Sequence, residues 1–139
     1  MSEAVSVDSA VPPALAQAIV HAAAEAIILA DRDGVVRLWN SGAERMFGYP
    51  AGEALGESLD LIIPDKHRQR HWEGYERVME TGVTRYADTL LSVPAVHRDG
   101  HRVFVQFSVA LLQDDAGNDK GAVTGIAAIM RDVTRRDRP

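Results

Sequence analysis

The sequence predicts an α+β fold: a five-stranded antiparallel sheet with helices packed on one face. Three observations predict it. Asp33-Gly34 and Asp99-Gly100 are hairpin signals, each set between runs of strand length. Between those hairpins lie segments with helical spacing, bounded by capping residues. A last apolar run, Gly121 to Arg131, follows a polar loop and supplies the fifth strand.

The elements follow in order. Residues 1–13 lack periodicity, end in Pro12-Pro13 and read as a flexible tail. Residues 14–25 form an alanine-rich leader helix with Leu15, Ile19 and Ala22 or Ala23 on one face. Ala26 to Ala30 is a strand. Val35, Val36, Leu38 and Trp39 return from the Asp33-Gly34 turn, where glycine reaches positive φ without steric cost. Asn40 or Ser41 then caps a helix carrying Ala43, Met46 and Phe47, closed by Gly48.

Pro64-Asp65 opens the next helix, which runs to about Thr81 and stops at Gly82. Tyr86 to His97 is a strand, and His101 to Leu112 returns with Val103, Val105, Phe107 and Val109 in strict alternation. Gln113 to Lys120 is a polar loop. In the final strand, Gly125, Ala127 and Ala128 leave room on the sheet face. The space between such a sheet and its helices is a natural ligand pocket.

Composition narrows the function. The chain has 139 residues, 46% of them apolar, which suits one domain with one core. It has no cysteine, so disulfides, thiolate catalysis, iron–sulfur clusters and covalent c-type haem attachment are excluded. A net charge of −5 argues against a nucleic-acid surface. The basic run Lys66-His67-Arg68-Gln69-Arg70-His71 reads as a solvated helix face. No apolar run approaches membrane-spanning length and the first ten residues are polar and acidic, so a cytoplasmic location is expected. There is no phosphate loop and no pairing of nucleophile with base, and an enzyme is not expected.

The ordered set from Asp31 to Tyr49, through Gly52-Glu53-Ala54-Leu55-Gly56 and Asp99-Gly100, to Arg131-Asp132-Val133-Thr134, resembles the PAS sensor family. The resemblance covers roughly residues 14 to 135. It implies a PAS domain over 26–135, a short tail at 136–139, and a leader helix that packs outside the sheet or pairs subunits in a homodimer. The sequence stops soon after the terminal motif, where a linker to a kinase or cyclase usually begins in that family, so the expectation is either a stand-alone sensor or one excised from a larger protein, with a histidine kinase or other signalling partner.

His71 is the candidate for chemistry. Tyr75 and Val78 lie at i+4 and i+7, so the three share a helix face that meets the sheet. A neutral imidazole in an apolar pocket is a good haem ligand. The frame Arg68 to Arg77 is similar to the haem helix of oxygen-sensing PAS domains of the FixL and DosP type. That resemblance implies haem b, His71 as proximal iron ligand, Arg77 and Arg85 as propionate partners, and a diatomic gas (O₂, CO or NO) or redox state as the signal. Where those sensors place an arginine or methionine, this chain has Leu91 and Thr89, and Phe107 and Val109 complete an apolar wall. Tyr86 is the donor nearest the distal rim. Met130 is a minor candidate for a sixth ligand.

Two other readings stay open. One is a cofactor-free PAS module for dimerisation, with His71 an ordinary helix histidine. The other is a PAS pocket for a flavin such as FAD, or for a small metabolite. Trp39 and Trp72 could stack on a flavin, but packing is the simpler role. His21, His97 and His101 read as surface residues.

Overall fold

The structure, a computed structural model, describes residues 11–84, 90–114 and 122–134. Helix α1 spans Pro13–Ala22, and strands β1 and β2 span Ala26–Asp31 and Val36–Trp39. Helices α2 (Ser41–Phe47) and α3 (Ala51–Ala54) follow. Two 3-10 turns, Leu59–Ile62 and Asp65–His67, lead into α4 (Arg68–Thr81). Strands β3 (Leu91–Val96), β4 (Arg102–Asp114) and β5 (Ala122–Asp132) complete the chain. The sheet order is β2-β1-β5-β4-β3, antiparallel throughout.

Register explains where the core sits. Directly paired residues of antiparallel strands project to the same face. One row therefore runs Trp39, Ile28, Ala128, Val109. A second runs Ala26, Met130, Phe107, Leu91. A third runs Val36, Ala30, Ile126, Leu111. Every member is apolar, and this inner face carries the main cluster with Ala43, Phe47, Ala54, Leu59, Tyr75 and Met79 from the covering elements.

Local chemistry sets the boundaries. Asn40 is the α2 N-cap: its side chain accepts the Ala43 amide, and Gly48 ends the helix in the left-handed region. In the β1–β2 turn Gly34 has φ +78°, and a Cβ there would come within 2.1 Å of the Trp72 ring. Both the backbone angle and the packed indole demand glycine.

Some boundaries differ from the sequence reading. The leader helix ends at Ala22 rather than Glu25, because Ala23 turns extended. The freed carbonyls of Val20 and Glu25 both accept from the Asn40 amide. The helix expected from Pro64 starts as a 3-10 turn and becomes α only at Arg68. Strand β4 continues through Gln113 and Asp114, placed in a loop by their polarity, because a register shift after Leu112 keeps them paired with β5. Strand β3 is described only from Leu91; the expected start at Tyr86 lies outside the described residues. Residues 1–10 and 135–139, where tails are expected, also lie outside them. Among the described residues no helix is long and apolar enough to cross a membrane.

Candidate functional site

The periodicity of α4 produces one inward stripe. Tyr75 and Met79 are buried, and His71, Trp72 and Val78 are half-buried, while Glu73, Glu76, Arg77 and Glu80 are exposed. The expectation that His71, Tyr75 and Val78 share a face is met. The helix lies over β5 on the inner face of the sheet.

Polar contacts fix this helix. The Tyr75 hydroxyl donates to the Asp31 carbonyl oxygen at 2.5 Å. The Trp72 indole N–H donates to Asp60 Oδ1 at 2.7 Å. Arg68 donates to the carbonyls of Ile63 and Asp60 at 3.0 and 3.1 Å. Burial, with the Asp31 and Asp33 carboxylates nearby, pushes the Tyr75 hydroxyl far above its ordinary range, so it stays a donor.

The His71 ring packs edge-on against Trp72, centroids 4.5 Å apart, and is tilted against Tyr75 at 5.7 Å. Its Nδ1 is buried and has no hydrogen-bond partner. Burial holds the imidazole below the usual histidine range, the Asp60 carboxylate partly offsetting this. The ring is therefore neutral at physiological pH, the state that ligates metals. An unmatched buried polar atom costs about 1–3 kcal/mol. In a native fold such an atom points to a strain, a function or a missing partner.

On the sheet, Leu91 and Phe107 are direct cross-strand partners, and Val109 stands two residues along β4 on the same face. All three are half-buried, unlike Ile28, Trp39 and Val105 on that face, which are sealed. Met130 lies beside Phe107 and is buried in the core. Of the small residues expected to open the sheet, Ala128 is on this face, whereas Ala127 pairs with Leu29 on the other. A Cβ on Gly125 would come within 2.8 Å of the Ala30 carbonyl oxygen, so that glycine serves close strand packing. Arg77 is exposed, six residues beyond His71 and on a different face of α4. Arg85, Tyr86 and Thr89 lie outside the described residues.

Trp39 is a core residue, its indole N–H donating to the Tyr49 carbonyl at 2.8 Å. A concavity of about 590 Å³ lies between the β1–β2 turn and α4, lined by Arg32, Asp33, Trp72, Tyr75, Glu76 and Met79 among others. His71 does not line it. Sequence reasoning missed Asp60 as the partner of Trp72 and Arg68, and Asn40 as a buried hub. Nothing in spacing links Asp60 to Trp72, twelve residues away; only the fold brings them together.

Comparison with known proteins agrees with this architecture. The chain is 25% identical to the sensor protein FixL of Bradyrhizobium diazoefficiens over 122 residues, covering 88% of this chain and 23% of FixL. It is 27% identical to the oxygen sensor protein DosP of Escherichia coli over 75 residues, covering 54% of this chain and 9% of DosP. The chain thus spans less than a quarter of either relative. Among solved structures, an RNA-binding Light-Oxygen-Voltage receptor superposes with a TM-score of 0.74 at 23% identity, covering 92% of this chain and 35% of that one. That likeness is one of fold. The family described as PAS fold matches residues 20–138, and with the sheet order and covering helices in place, the chain belongs to it.

Proposed function

We propose that this PAS sensor domain binds haem b through His71 and senses a diatomic gas or a redox change. The observation that carries the reading is a neutral, half-buried imidazole on the inward stripe of α4. Such a ring can offer its Nε2 lone pair to a Lewis-acidic iron while Nδ1 carries the proton. The half-buried apolar residues Leu91, Phe107 and Val109 support it, because they leave apolar sheet surface for a flat hydrophobic group to cover. The likeness to FixL and DosP supports it as well.

When bound, haem supplies an iron with a coordination position open to a small ligand. The chain's own residues do the rest. His71 would hold the iron from α4. Leu91, Phe107 and Val109 exclude water and donate no hydrogen bond, so CO and NO are favoured relative to O₂, which gains from a donor. Tyr86 is the side chain proposed to supply one. Arg77 and Arg85 are proposed to pair with the propionates, since a guanidinium matches a carboxylate in a bidentate fork. The signal passes to a partner, such as a histidine kinase, only if liganded and unliganded states differ in affinity for it. A homodimer through α1 fits the same scheme: Leu15 and Ile19 on that helix are 52% and 61% exposed.

Hemin titration into the purified chain tests the reading. A Soret band that saturates at one haem per chain, and that His71→Ala removes, is the expected result. Wild-type protein that takes up no hemin, or a His71→Ala variant that takes it up equally well, sinks the proposal. Yellow protein with flavin bands would instead support the flavin reading.

A further inference from the structure

The β3–β4 turn carries the run His97-Arg98-Asp99-Gly100-His101, away from the site on α4. Its two imidazole rings stack, centroids 4.4 Å apart and planes 19° from parallel. Asp99 Oδ1 lies 2.5 Å from His101 Nδ1 and 3.2 Å from His97 Nδ1. One donor atom from each residue falls within 4.8 Å of the other two.

The turn is held in place by the rest of the fold. The His97 amide donates to the His101 carbonyl at 2.9 Å, and the Arg98 amide to the Phe47 carbonyl at 2.9 Å. The Arg98 guanidinium, the cation nearest in sequence, is drawn to Glu53 at 3.0 Å. The His97 ring rests on Gly48, where a Cβ would come within 2.4 Å of it. This histidine is therefore positioned before any ligand arrives, while Asp99 and His101 remain exposed to solvent.

The electrons in the cluster are informative. The Asp99 amide donates to His97 Nδ1 at 3.1 Å, so this nitrogen presents a lone pair. It also faces the Asp99 carboxylate oxygen at 3.2 Å. An ion bound between the two takes over the lone pair that now accepts the amide proton.

We propose that His97, Asp99 and His101 form a binding site for a divalent transition-metal ion, with Zn²⁺ as the ion suited to two imidazoles and one carboxylate. A tetrahedral ion with bonds of about 2.0–2.1 Å spaces its donors about 3.3 Å apart. The His97–Asp99 pair is already near that spacing, and exposed His101 needs only a small side-chain rotation. The fourth position is left to water. An ion bound here pins the β3–β4 turn.

Calorimetric titration of ZnCl₂ into tag-free, haem-free protein tests this. The expected result is one Zn²⁺ per chain with micromolar or tighter affinity. His97→Ala or His101→Gln should each weaken binding by more than about tenfold. The double variant should not bind, whereas His67→Ala and His71→Ala should bind as wild type does. Because His101 is exposed, His101→Gln keeps the fold, which circular dichroism verifies. Unchanged affinity in the double variant, loss of the site in His71→Ala, or wild-type binding only at millimolar zinc overturns the proposal.

Discussion

The inner face of the sheet has two ends that share a chemistry and differ in how they are covered. At the β2–β1 end, Trp39, Val36, Ile28 and Ala30 are sealed beneath Phe47, Ala43, Ala54 and Leu59. Toward β4 and the start of β3, Leu111, Val109, Phe107 and Leu91 continue the same rows but stay half-exposed. Hydrophobicity cannot account for the difference, because each row is apolar throughout. What differs is the cover. One end is closed by the chain's own aliphatic and aromatic side chains, and at the other the apolar residues of β3 and β4 keep part of their surface. The first end stabilises the fold; the second is where the proposed haem would add buried area without displacing core.

Paired phenylalanine truncations should expose that difference most strongly. Phe47→Ala removes a fully buried ring and should cost about 3–5 kcal/mol. Phe107→Ala removes a half-buried one and should cost roughly 1–2 kcal/mol in haem-free protein. Urea midpoints with unchanged slopes measure both. Equal losses would mean that the second end is ordinary core.

A smaller effect is expected from Asn40→Ala, which probes how the closed end is tied to α1. Asn40 Oδ1 accepts the Ile27 and Ala43 amides at 2.8 and 2.9 Å, and its Nδ2 donates to the Val20 and Glu25 carbonyls. The substitution strands these groups and should cost about 1–3 kcal/mol. Amide exchange in α1 should accelerate, while α4 stays protected. Uniform acceleration across both helices would show that the two ends are not separable.

Much of this was legible in the residues. Asp33-Gly34, Asp99-Gly100, Gly48 and Gly82 punctuate the chain because each turn or cap needs a local backbone angle, and all four glycines have positive φ. The alternation of β4 marked the inner face correctly. Long-range effects were not legible. Asn40 read as a helix cap, yet two of its hydrogen bonds reach back 15 and 20 residues. His97 and His101 both read as surface residues; His101 is exposed, but His97 is half-buried against Gly48, and their stacking around Asp99 depends on hairpin register. The half-open rows were also hidden: a pattern of apolar residues states which side faces inward, not whether the volume beyond it is filled.

The subtlest test concerns His71 itself. Burial lowers its folded pKa below the unfolded value of about 6.5, so the unfolded chain binds the proton more readily. Its contribution to stability is complete above that pH. It is lost as pH falls through it, and the loss levels off once the pH passes below the folded pKa. His71→Leu removes both this proton linkage and the stranded nitrogen. The haem-free variant should be up to about 1 kcal/mol more stable than wild type near neutral pH. Its advantage should widen as the solution is acidified. The difference between the two stability curves cancels the other histidines, which are common to both proteins. A flat difference curve would mean that the ring is solvated, which would remove the desolvated imidazole on which the proposed haem site rests.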